Sequence, residues 1–71
     1  MNIDLRKYII NNFKDDNVED IEKSINMSID SKEEDPLIGM GVLFELAWLN
    51  STKELKEEIL SNIKKGITSN V

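Results

Sequence analysis

Apolar residues recur along this chain three and four positions apart, and no stretch alternates for long enough to read as a strand. Four helical segments follow from that spacing. The first runs from Ile3 to Phe13, with Leu5, Ile9 and Phe13 in one row and Ile3 and Ile10 on a second stripe; the polar run Lys14-Asp15-Asp16-Asn17 ends it. The second begins with Asp16 or Asn17 as N-cap, each followed three residues later by an acid, and carries Val18, Ile21, Ile25 and Ile29 as a narrow stripe to Asp30. Every other position there is polar except Met27, which points to the opposite side. Ser31 to Asp35 holds no apolar residue and reads as a loop.

The third segment, Pro36 to Leu49, differs from the others: its apolar residues cover the whole helical wheel and Glu45 is its sole charge. A helix apolar on every side must be covered on every side, so this one is the expected hub, packed by the other segments or by a second subunit. Asp35 and Pro36 suit an N-cap and first helical position. Gly39 and Gly41 are costly inside a helix, about 1 kcal/mol each, so the helix proper starts either at Pro36 or near Gly41. The fourth segment opens on Ser51-Thr52-Lys53-Glu54, a capping-box pattern, and carries the row Leu55, Ile59, Ile63 with Leu60 and Ile67 beside it. Gly66 is the expected residue just past its end, with Thr68 to Val71 as a frayed tail. The sum is a single all-α domain over residues 1–71, a compact bundle of three to four short helices around a central apolar helix. The Val18/Ile21/Ile25/Ile29 and Leu55/Ile59/Ile63 rows are expected to be buried on the hub.

Composition narrows what such a bundle can do. The 71 residues include no Cys and no His, which excludes thiol nucleophiles, disulfides, Cys/His zinc sites and Ser–His catalysis. Small domains usually need a staple below roughly 70–80 residues; with none here, the core must come from packed helices or from a partner chain. The apolar run is too short to span a bilayer, which takes about 20 residues, and the charged first segment does not read as a secretory signal. A soluble cytoplasmic protein without membrane association is the expectation. The net charge of -5 is unevenly spread: residues 15–35 hold nine acids against two lysines, while residues 1–14 are net positive and 36–71 balance. That acidic stretch repels phosphate, and one arginine in the chain is too few for reading bases, so nucleic acid is a disfavoured partner.

No catalytic, cofactor-binding or metal-ligating set emerges. Gly39-Met40-Gly41 lacks the third glycine, preceding strand and Lys-Ser/Thr of a phosphate loop, and the acids of residues 30–35 lack the calcium-loop pattern. Glu45 is expected to reach solvent, cap a helix end or pair with a lysine; desolvated, it would have a raised pKa. Phe44 and Trp48, four apart, share a face, with Trp48 either a core anchor or an exposed interface anchor. Gly39 is assigned a positive φ where the acidic loop turns into the hub. Gly41 is assigned the first helical turn, leaving room for another backbone. A homodimer whose contact includes Phe44, Trp48 or the first helix is expected, because 71 residues leave little to cover the hub.

The run Gly39-Met40-Gly41-Val42-Leu43-Phe44-Glu45, followed by Trp48, resembles the small acid-soluble spore protein I family of endospore-forming bacteria. Asp4-Leu5-Arg6 with Ile9-Ile10-Asn11 resembles that family's amino-terminal helix, and Ser31-Lys32-Glu33-Glu34 its acidic connector. The chain departs from the pattern at Ile38, where the family carries Pro; its own is Pro36. The resemblance implies synthesis in the forespore and deposition in the spore core. It implies a minor, non-catalytic protein that is structural or contacts an unidentified spore-core protein, with no active-site residue to carry over. A DNA-associated spore protein and an acidic regulatory binding module are the alternatives.

Overall fold

The computed structural model describes residues 4–70 and is all-α, with four helices and no strand among those residues. Helix α1 spans Asp4–Phe13, α2 Val18–Asp30, α3 Pro36–Leu49 and α4 Lys53–Ser69. The four are gathered into a body of 32 × 31 × 30 Å, with α1 and α2 both packed on α3. The second stripe of α1 is only partly placed, since Ile3 lies outside the described residues.

Each helix start has a local cause. At α2 the cap is Asn17, whose Oδ1 accepts from the Asp20 amide at 2.8 Å. At α3 the residue before the helix, Asp35, has helical backbone angles and makes no side-chain cap. The chain enters instead through a turn closed by the Leu37 amide on the Glu34 carbonyl (3.0 Å), with Pro36 supplying the fixed φ of a first turn. At α4 the cap is Thr52, one residue later than the pattern predicted, its Oγ1 accepting from the Leu55 amide at 3.2 Å. The Ser51 hydroxyl is taken by the end of α3, donating to the Ala47 carbonyl at 2.6 Å. Asn50 closes the same end through Nδ2 on the Leu46 carbonyl (2.8 Å).

Both glycine assignments in α3 are corrected. No glycine among the described residues has a positive φ; Gly39 and Gly41 are ordinary helical residues and the hub starts at Pro36. A Cβ on either would meet nothing within 4 Å, so Gly41 does not serve a close backbone approach within one chain. Gly66 does not end α4 either. The helix continues to Ser69, and Asn70 closes it with Nδ2 on the Gly66 carbonyl at 2.8 Å. With no αL turn at Gly66, Ile67, Thr68 and Ser69 add helical hydrogen bonds instead of fraying.

The predicted apolar rows are only partly covered. Ile9 of α1 and Val42 of α3 are the buried hydrophobic residues among those described. On α2, Ile21 and Ile25 are half-buried, but the ends of the stripe, Val18 and Ile29, are exposed. The covered side is turned toward Ser24 and Ser28, whose small side chains share a cleft with Phe13 and Pro36. On α4 only Ile59 of the predicted row is half-buried; Leu55 and Ile63 are exposed. Coverage of a stripe requires a facing element along its whole length, and α3 lies against only part of each.

Candidate functional site

Phe44 and Trp48 lie one helical turn apart on α3, their ring centroids 5.9 Å apart and the planes inclined by 33°. From α4, the Lys56 ammonium sits 5.3 Å from the Trp48 ring centroid, a cation–π contact that ties α4 to the hub. From α1, Arg6 reaches Glu45 with a two-pronged bond: Nε donates to Oε1 at 2.7 Å and Nη2 to Oε2 at 2.8 Å. The planar guanidinium matches a carboxylate in this way, which a lysine does not.

The pair is half-exposed, at 52% for the Arg6 side chain and 46% for Glu45. Hydrogen bonding from Arg6 holds the Glu45 carboxyl below the usual carboxylate range, assisted by the guanidinium charge and opposed by partial desolvation. The same bond raises Arg6 further above its already high value. Glu45 reaches solvent, one of its expected outcomes, but the cation it pairs with is the arginine and not a lysine. It is not desolvated enough to raise its pKa, which moves down because the paired cation outweighs the partial loss of water. A carboxyl held ionised is no general acid at neutral pH.

These side chains frame an open groove of about 670 Å3 walled by Arg6, Phe44, Glu45, Trp48, Leu49 and Leu60. Its floor and sides are apolar, and the ion pair forms one rim. Of the residues the sequence singled out, Phe44, Glu45 and Trp48 meet here. Gly41 lines a neighbouring cleft with Leu5, Ile38 and Val42, and Gly39 faces the α1–α2 side with Met40 and Leu43. Arg6, Leu49, Leu60 and Lys56 were not singled out. Arg6 had a signal, as the one arginine of a chain whose hub carries one acid; the leucines had none that separates them from core positions. Among the described residues, no three His, Cys, Asp or Glu side chains converge to hold a metal ion, and no helix is long and apolar enough to cross a membrane.

The groove joins two stretches of sequence 39 positions apart, Asp4-Leu5-Arg6 and Gly41-Val42-Leu43-Phe44-Glu45. Both fall inside the region, residues 3–67, that matches the family model described as "Small, acid-soluble spore protein I". Among curated proteins of that description, those of Halalkalibacterium halodurans, Bacillus licheniformis and Bacillus subtilis are each 37% identical to this chain over 67 residues. The aligned region covers 94% of this chain and 98%, 96% and 94% of theirs, respectively. No solved structure matches the chain.

Proposed function

This chain belongs to the small, acid-soluble spore protein I family, and on that premise we propose that it is a minor protein of the dormant spore core, made in the forespore, acting by protein contact and not by catalysis. The observation that carries this reading is the makeup of the groove. Its walls are the side chains of Phe44, Trp48, Leu49 and Leu60, and its two charged groups neutralise each other on the rim. Such a surface favours an apolar protein segment with a few polar contacts at its edge. It offers no charged or nucleophilic group free to work on a small polar substrate.

The DNA-associated alternative is weakened by the same pair. The chain has one arginine, and that guanidinium is engaged by Glu45. A net charge of -5 further opposes approach to a polyanion. Two measurements on the full chain test the proposal. In a mobility-shift assay at low salt, where phosphate contacts are strongest, duplex DNA is expected to run unretarded. In an immunoblot of acid extracts, the protein is expected from broken dormant spores and not from growing cells. Retardation relieved by salt would move the chain to the DNA-associated class; equal abundance in growing cells would remove the spore-core assignment.

A further inference from the structure

The folded chain presents 6250 Å2 of surface to solvent. A compact monomer of its mass presents about 4,500 Å2, so the surplus is roughly 1,700 Å2. Its radius of gyration is 13.5 Å, where a compact chain of this length has about 11 Å. With no disulfide among the described residues to compensate, that is too little self-coverage for an isolated domain.

Part of that surplus lies at the groove and beside it, while other exposed apolar side chains, among them Tyr8, Val18, Met27 and Leu37, stand elsewhere. Phe44, Leu49 and Leu60 line the groove yet remain 44%, 75% and 54% exposed. Beyond Ile59 every described residue of α4 is exposed. That half of the helix still carries an apolar stripe, Leu60, Ile63 and Ile67, spaced to face one way. An uncovered stripe thus stands beside an uncovered groove on the same molecule.

We propose that a second copy of this chain covers both. Two chains pack about a two-fold axis, the Leu60–Ile63–Ile67 stripe of one lying against the Phe44–Trp48–Leu49 wall of the other, and reciprocally. The area supports this occupant. Removing the whole surplus from both chains would bury roughly 3,400 Å2, so a contact that takes up about two-thirds of it still reaches the range of about 2,000–5,000 Å2 typical of obligate homodimers. The charge supports it as well. Two chains of net charge -5 repel each other, but the acids are concentrated in residues 15–35. No wall of the groove comes from α2, and α4 carries Lys64 and Lys65 with no acid after Glu58. The proposed contact therefore brings together the parts of the chain that are neutral or basic and leaves the acidic segment outside. The dimer rests on the reading of this groove as a protein-contact surface and names a second copy as its occupant; the chain's mass tests the occupant, while the spore-extract and mobility-shift measurements test the reading separately.

Light scattering and sedimentation equilibrium on the full chain test it, from low micromolar to millimolar concentration. The expected mass is twice the 8.2 kDa of one chain, and the thermal midpoint is expected to rise with protein concentration. Leu60→Lys alters a side chain the single chain leaves exposed, so helicity should persist while the dissociation constant rises by about a hundredfold or more. Val18→Lys, on α2 and 75% exposed, is expected to leave the dimer intact. Should Leu60→Lys lose its circular dichroism, Ile67→Lys at the far end of the stripe makes the same test. A mass of one chain throughout, a larger assembly, or dissociation by Val18→Lys as strong as by Leu60→Lys would each overturn the proposal.

Discussion

Arg6 and Glu45 show how one contact orients this fold. The guanidinium comes from the first helix and the carboxylate from the third, and two hydrogen bonds at 2.7 and 2.8 Å leave little freedom in how α1 lies on α3. Because both side chains are about half-exposed, solvent and salt screen the pair and its share of stability is modest. Its pH dependence has a definite sign. The Glu45 carboxyl is lowered in the folded chain relative to the unfolded one, so its contribution is complete above the usual carboxylate range and is lost as pH falls through the depressed folded value. Measured by thermal midpoint, the wild-type chain should exceed Glu45→Gln by most at neutral pH, and the gap should close on acidification. A gap that widened in acid would mean that Glu45 is held protonated and that the pairing is wrong.

Among the elements, α3 shows the widest separation between local preference and outcome. Two glycines argue against a helix over its first turns, yet the helix begins at Pro36 and includes both. Pro36 presets the first turn, and Ile9 and Val42 anchor the packing of α1 and α3, which outweighs the propensity cost. Neither glycine meets a neighbour a methyl group would strike. Gly39→Ala should therefore stabilise the fold by about 0.5–1 kcal/mol, several degrees in the thermal midpoint of a domain this small. A lower midpoint would restore a special backbone role at Gly39. The caps follow a related logic. Ser51 and Thr52 are both able to cap, and the single residue between α3 and Ser51 places the Ser51 hydroxyl on the Ala47 carbonyl, leaving Thr52 to start α4.

For the whole molecule, stability is expected to be graded. Helices α1 and α2 pack on α3, where Val42 is buried, while α4 past Ile59 stands exposed in the single chain. In dilute Leu60→Lys protein, amide exchange around Val42 should be roughly tenfold or more slower than in α4 beyond residue 60; equal rates would mean that α4 is held by contacts within one chain. The helices, their approximate limits, the central position of α3 and the family were legible in the linear chain, because spacing, caps and a long motif are local properties of sequence. Even Asn17 was among the caps the pattern offered. The direction in which each stripe faces was not legible. The row on α2 turns toward Ser24 and Ser28, and the row on α4 is mostly bare, because a stripe records that a face needs cover and not which element reaches it. The union of Arg6 with Glu45, and the groove they rim with Phe44, Trp48, Leu49 and Leu60, exist only once three helices are set at their angles. Those angles come from side-chain packing between residues tens of positions apart, which no local pattern encodes.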